Sequence, residues 1–275
     1  MLLVKYANIK KKYNVRYWMI GNESWNKNNE NSTVEIYAQD IIDFSKAMKA
    51  VDPSILVIPN GDSDEFFKTV INKAGNYIDR LCVSNYGVFD FNAGYESYRD
   101  TTRCLIWPAQ TALNAMNKYA TQEQLDKWKL IVAEYGTIDW AGLWHGTNDM
   151  GHAIVNFDMT GQLLLEPQIE FSCFWNTRWL NNEEYPQTDH DAVDSNGNIN
   201  PTGYSLLIWN KFMGDKMIKS ESMGAIISYA SYSPHENRLF VYFINKGERE
   251  ENVNLIIPNK AAAKIVQCWE YFGKD

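Results

Sequence analysis

The chain has 275 residues, 45% of them hydrophobic, and a formal net charge of -8. Such a length and apolar content suit one sizeable core with a small second module and exclude a disordered chain. The acidic balance argues against a nucleic-acid partner, whose phosphates call for clustered Lys and Arg, and no apolar stretch reaches the roughly 20 residues of a bilayer span.

In chain order, Met1-Leu2-Leu3-Val4-Lys5 is too short for the apolar region of a secretory signal, so the sequence carries no visible address. Lys10-Lys11-Lys12 is a short basic run and reads as a solvated helix end. Val15 to Ile20 is an apolar strand-like run, and Val34 to Val51 follows with helical spacing, ending before Asp52-Pro53. The strand Ile55 to Ile58 closes in Pro59-Asn60-Gly61, and Asp64 to Ala74 is the next helix. Ile78 to Ser84 reads as a strand that ends in Asn85-Tyr86-Gly87. A loop with Phe89, Phe91, Tyr95 and Tyr98 leads to a helix from Pro108 to Tyr119. Leu130 to Ala133 is a strand ending in Glu134-Tyr135-Gly136, and a loop with Trp140 and Trp144 leads to the helix Met150 to Leu165. Phe171 to Phe174 is the fifth strand, and a polar insertion from Asn181 to Asn200 precedes a helix begun by Pro201.

Five strand-helix units in a row predict a parallel α/β fold with right-handed crossovers. The pattern changes after Gly214. Gly224 to Ser231, Arg238 to Asn245, Val253 to Pro258 and Lys264 to Tyr271 are strand-like runs without helices between them, which predicts an antiparallel β module. The expected division is therefore residues 1–215 and 216–275.

Four cysteines and four histidines are scattered without disulfide or zinc spacing, and Cys82 and Cys173 fall in apolar runs where a free thiol behaves as a small buried hydrophobe. Ten Trp and sixteen Tyr are a heavy aromatic load. Flat apolar rings suit stacking on sugars, and they equally suit a core.

Two of the strands finish in a glutamate, Glu23 and Glu134. A carboxylate at the C-terminal end of a parallel strand sits at the mouth of the core, where active sites of such folds form. Glycosidic cleavage needs such a pair, one carboxylic acid to protonate the leaving oxygen and one carboxylate to attack the anomeric carbon. Those roles ask for an acid raised by burial and a negative neighbour, and a nucleophile held ionised by hydrogen bonds.

Trp18-Met19-Ile20-Gly21-Asn22-Glu23, Asp52-Pro53-Ser54-Ile55 and Ala133-Glu134-Tyr135-Gly136 together resemble the clan A retaining glycoside hydrolases, built on a (β/α)8 barrel. The resemblance covers roughly residues 1–215, and the remainder is similar to the C-terminal β-sandwich of the arabinofuranosidase and β-xylosidase branches. It implies that Asn22-Glu23 ends the fourth barrel strand and Glu134 the seventh. Glu23 would be the acid/base, Glu134 the nucleophile and Asn22 a ligand of the sugar 2-hydroxyl. It places Tyr86 against the nucleophile and Trp175 under the reacting sugar. Trp25, Trp140 and Trp144 become candidates for outer subsites.

Each of these residues also has a plain structural role available. Asn22 can cap a turn, Tyr86 can be a buried phenol bonded to backbone, and the tryptophans can be core. The Tyr-Trp-x-Ile-Gly-Asn-Glu run is similar to α-L-arabinofuranosidases, whereas Phe174-Trp175-Asn176-Thr177-Arg178-Trp179 with Asn200-Pro201-Thr202-Gly203 and Ile244-Asn245-Lys246 looks more like β-agarases and porphyranases. Many clan members carry a His where this chain has Ser84-Asn85-Tyr86.

The implied function is cleavage of an algal or plant cell-wall polysaccharide by double displacement, with no cofactor or metal. An oligosaccharide or polysaccharide is the expected partner, with neither nucleic acid nor membrane. Full-length relatives are expected to be secreted or periplasmic. Only fourteen residues precede Val15, so strands 1–3 of the barrel are not in this sequence. A truncated (β/α)8 barrel is therefore expected, whether as a fragment of a longer gene product, as a chain completed by self-association or a complementing N-terminal segment, or as an open sheet with impaired chemistry. The competing reading is a non-catalytic, degenerate carbohydrate-binding barrel.

Overall fold

The computed structural model describes residues 1–27, 33–89, 94–139, 144, 148–178, 191–257 and 264–273. The chain begins with helix α1 (Leu2–Val4), which runs on as a π-helical stretch Lys5–Lys10. There follow β1 (Tyr17–Ile20), α2 (Val34–Lys49), β2 (Leu56–Pro59), α3 (Asp64–Ala74) and β3 (Leu81–Asn85). Next come α4 (Tyr95–Arg99), α5 (Trp107–Tyr119), α6 (Gln122–Lys127), β4 (Leu130–Tyr135), α7 (Met150–Leu164) and β5 (Ile169–Phe174). The last elements are α8 (Pro201–Phe212), β6 (Lys216–Ile218), β7 (Ile226–Ser233) and β8 (Arg238–Asn245). These residues form two compact units, one from 1–90, 104–141 and 162–177, the other from 91–103, 142–161 and 178–275.

In the first unit every strand runs parallel to its neighbours. Tyr17 pairs with Leu56 and Ile20 with Pro59, while β3, β4 and β5 form a three-stranded sheet in chain order. A parallel bridge between Asn60 and Cys82 links β2 to β3. Strands thus neighbour each other in sequence order, the arrangement that right-handed crossovers produce when each unit is laid beside the last. A closed barrel is not present among the described residues.

Local chemistry explains the helices. Thr33 starts α2 by accepting the Ile36 amide at 3.4 Å, and Tyr37, Ala38, Ile41 and Met48 form its buried stripe. Asp52 ends the connection by accepting the amide and hydroxyl of Ser54 and the Nδ2 of Asn8. Thr121 and Gln124 form a reciprocal capping box at the start of α6. On the inner face of the sheet Ile58, Cys82 and Ile131 are buried together, with Tyr17 and Ala133 packed on them. Burial pushes the Cys82 thiol up to about 12, so it is an inert hydrophobe there. Cys173, expected to be buried likewise, is exposed on the end strand β5.

The second unit holds β6, β7 and β8 as one antiparallel three-stranded sheet. This corrects the expected module in two respects. The sheet gains a short strand after Gly214, and Val253 to Ile256 and Lys264 to Tyr271 are not strands. Trp269 instead packs on Phe212 with the Lys211 ammonium 4.1 Å from its ring centre, and Tyr271 lies on Tyr204. These side chains are held by α8 rather than by a ladder of backbone bonds, so the module is a single sheet and not a sandwich among the described residues.

Aromatic packing dominates this core. Phe157 of α7 stacks on Trp209 of α8 at 4.6 Å, and Trp209 also meets Tyr242 at 4.4 Å and Tyr229 edge-on. Its indole donates to the Phe157 carbonyl at 3.0 Å. The buried Asp158 carboxylate accepts from the hydroxyls of Tyr98 and Tyr229, which satisfies an otherwise costly group. Trp209→Ala should therefore destabilise the protein by about 3–5 kcal/mol, the usual cost of emptying a buried aromatic site. Urea unfolding followed by circular dichroism measures it, and a loss under about 1 kcal/mol would remove Trp209 from the core.

Candidate active site

Both strand-end glutamates lie in the first unit. At the end of β1 the chain turns through Gly21, whose φ of 70° favours glycine, and Glu23 itself has φ of 46°. A non-glycine residue in that region carries a cost of roughly 1 kcal/mol, which the surroundings must offset. Asn60, from the end of β2, does so. Its Nδ2 donates to the Ile20 carbonyl at 2.9 Å and its Oδ1 accepts the Ser24 amide at 2.7 Å, so one buried side chain bridges both sides of the turn. The Tyr37 hydroxyl donates to the same Ile20 carbonyl at 2.6 Å and accepts the Asn60 amide at 3.0 Å. The Asn26 amide closes the turn on the Glu23 carbonyl at 2.8 Å.

Glu134 stands near the end of β4, half-buried. A register shift between Val83 and Ser84 sets Ser84 opposite Glu134 and Asn85 opposite Tyr135. One residue further on, the buried Tyr86 donates its hydroxyl to Glu134 Oε2 at 2.8 Å. Burial raises the Glu134 pKa, the bond from Tyr86 lowers it, and the negative charge of Glu23 raises it, for a net upward shift. Burial and the charges of Glu134 and Glu23 push the Tyr86 phenol well above its ordinary range, so it stays a donor. Glu23 thus lies close enough for its charge to be felt at both partners.

This differs in one point from the expected division of pKa values. The carboxylate assigned as nucleophile has a raised pKa, because burial, with the charge of Glu23, outweighs the single hydrogen bond that favours its ionised form.

The other sequence candidates fall out as follows. Asn22 is exposed, and Trp25 and Trp175 are half-buried. Trp175 continues the β4–β5 pairing by donating its amide to the Tyr135 carbonyl at 2.8 Å, and its peptide bond to Asn176 is cis. Gly136 lies so close that a Cβ there would come within 2.8 Å of the Trp175 carbonyl. Trp140 lies outside the described residues. Trp144 belongs to the second unit, stacked on His152 at 3.9 Å. Asn60 and Tyr37 were not singled out in the sequence. The signal for Asn60 was its place at a strand end, like Asn22 and Asn85.

Asn60→Ala should cost about 1–3 kcal/mol, since it orphans the buried Ser24 amide. A comparison of urea midpoints checks this, and unchanged stability would show that the turn stands without the clamp. If Glu134 must be ionised to act, turnover is lost as pH falls through its raised pKa. Tyr86→Phe removes the bond that opposes the rise, so the acidic limb of the pH–rate profile should move to higher pH. A limb that stays in place or moves down would show that the Tyr86 bond does not favour the ionised carboxylate.

No family model matches the chain. It is 45% identical over 60 residues to α-L-arabinofuranosidase C of Emericella nidulans and 42% identical over 60 residues to a probable α-L-arabinofuranosidase C of Aspergillus niger, matches that cover 19% of this chain and 12% of each relative. Its structure superposes on an α-L-arabinofuranosidase from Thermotoga maritima, solved as an arabinose complex, with TM-score 0.68 and 20% identity over 87% of this chain. A GH86 protein solved with neoagarooctaose superposes with TM-score 0.52 at 12% identity, over 78% of this chain and 38% of that one. The chain spans about half the length of the Thermotoga protein, 55% of it. Parallel strands in sequence order and these superpositions identify the fold as GH51 α-L-arabinofuranosidase-like, matched over about half of such a chain.

Proposed function

We propose that the chain carries the catalytic pair of a retaining glycoside hydrolase that removes α-L-arabinofuranosyl groups from plant cell-wall polysaccharide. The observation that supports it best is the placement of Glu134, which accepts from Tyr86 while sensing the charge of Glu23. In this reading residues 1–215 hold the barrel strands 4–8 and residues 216–275 an appended β module. The arabinose bound in the Thermotoga relative supports a furanose over an agar-type sugar, as does the higher TM-score of that match.

Glu134 attacks the anomeric carbon as a carboxylate, while Glu23 gives its proton to the departing glycosidic oxygen. A covalent glycosyl ester on Glu134 results, and the alcohol leaves. Glu23, now ionised, takes a proton from water, which attacks the same carbon and frees Glu134, so the anomeric configuration is retained. Tyr86 holds the attacking carboxylate in place, and its donation weakens as the carboxylate loses charge. Asn22 binds the 2-hydroxyl, and Trp175 and Trp25 supply apolar surface for sugar rings. The clamp from Asn60 keeps the Asn22-Glu23 turn in register.

Glu134→Ala should abolish release of p-nitrophenol from p-nitrophenyl α-L-arabinofuranoside. Glu23→Ala should lower kcat/KM about 10²–10⁴-fold on arabinan, whose leaving group needs a proton, and much less on the nitrophenyl substrate. Full activity in the Glu134 variant would refute the assignment. A second reading, a degenerate barrel that binds sugar without cleaving it, draws on the outer edges of β1 and β5, which have no strand neighbour among the described residues. Calorimetric binding of arabino-oligosaccharides with no product formed would favour it.

A further inference from the structure

Three sulfur atoms meet on the inner face of the first unit, each from a different strand. The Cys82 thiol of β3 donates to the Met19 thioether of β1 at 3.5 Å. Cys173 of β5 lies near enough to Cys82 for its charge to be felt there. Cys82 is buried, whereas Met19 and Cys173 are exposed.

Strand order accounts for this meeting. The Tyr17 ring packs on the inner cluster and meets Phe171 edge-on at 5.1 Å, so both rings take the inner face. Residues two apart on a strand share a face, which puts Met19 beside Tyr17 and Cys173 beside Phe171 on that same side. The contact between Tyr17 and Phe171 also shows that the strands curve until the first and the fifth approach each other. Inner side chains therefore converge. In barrel-type parallel sheets one inner layer is supplied by alternate strands, and β1, β3 and β5 are alternate strands.

Distance decides what can join the two thiols. β4 lies between β3 and β5, which sets those two backbones about 9–10 Å apart, at two strand spacings. A disulfide requires Cα atoms roughly 4.4–6.8 Å apart. A bridging cation relaxes that limit, because two metal–sulfur bonds of about 2.3 Å each span a gap that a single S–S bond does not. The donors then select the ion. Thiolates and thioethers are soft ligands that favour Cu(I), and zinc draws instead on Cys, His and carboxylates. Among the described residues no group of three His, Cys, Asp or Glu is placed to hold an ion, so a harder cation finds no full ligand set.

We propose that Met19, Cys82 and Cys173 form a three-coordinate binding site for Cu(I). On binding, two Cu–S bonds replace the two S–H bonds, both protons pass to solvent, and Met19 gives a lone pair of its thioether. No electron is transferred. The free Cys82 thiol is inert, and replacement of its proton by the cation is what makes it a ligand. A methionine beside a buried thiol is also ordinary packing. The third sulfur distinguishes a site from packing, since Cys173 adds a second thiol to the Cys82 and Met19 pair. The site goes beyond the glycosidase reading, because it uses neither carboxylate.

The test titrates the reduced 275-residue chain with Cu(I) against bicinchoninate in the absence of oxygen, with Cys104→Ser and Cys268→Ser in place to silence the other two exposed thiols. One equivalent of copper should bind, and X-ray absorption should show only sulfur neighbours. Met19→Leu, Cys82→Ser and Cys173→Ser should each weaken binding about tenfold or more. Cys173→Ser, at an exposed position, decides the matter if Cys82→Ser does not fold. Zn(II) should not displace the copper. Glu134→Gln should leave binding unchanged, which separates this proposal from the fate of the catalytic one. No bound copper, full affinity in the Cys173→Ser variant, or nitrogen and oxygen neighbours in place of sulfur would overturn it.

Discussion

Two like charges share one end of a parallel sheet, and much of the first unit serves to keep them there. Carboxylates that sense each other in a half-buried setting repel, and the charge of Glu23 helps to raise the pKa of Glu134. Glu134 is held by a phenol rather than a cation. A neutral donor steadies the carboxylate without cancelling its charge, and burial keeps its pKa raised.

Glu23 is held differently, through its backbone. Its left-handed φ places the side chain where a regular strand would not, and Asn60 and Tyr37 offset that cost by bonding the carbonyl before the turn and the amide after it. Both supports are buried, so their bonds face little competition from water. Asn60 follows β2, a middle strand whose Ile58 is buried, and Tyr37 comes from α2. The end strands, with exposed inner faces, carry the Tyr17 and Glu170 contact instead.

Much of this was legible beforehand. The five strands of the first unit and its longer helices α2, α3 and α5 follow from apolar spacing, with boundaries within a few residues, because turn residues such as Pro53 act on the backbone next to them, while the short helix α6 was not read. The β module was less legible. Lys264 to Tyr271 has the alternation of a strand, yet Trp269 and Tyr271 found aromatic partners on α8, and alternation cannot tell a paired strand from an extended segment held by its side chains. Cys173 went the same way, since its sequence surroundings match those of the buried Cys82 and only strand order distinguishes a middle strand from an end one.

The sequence by itself determined the order of strands and helices and put Glu23 and Glu134 at strand ends, because periodicity and turn chemistry act over a few residues. Tertiary structure decided that Tyr86 reaches Glu134 across 48 positions and that Asn60 reaches Ser24 and Ile20 across 36 and 40. It also decided the burial that raises the Glu134 pKa. Hydrogen bonds and desolvation of this kind depend on which strands become neighbours, and no local pattern of residues encodes that.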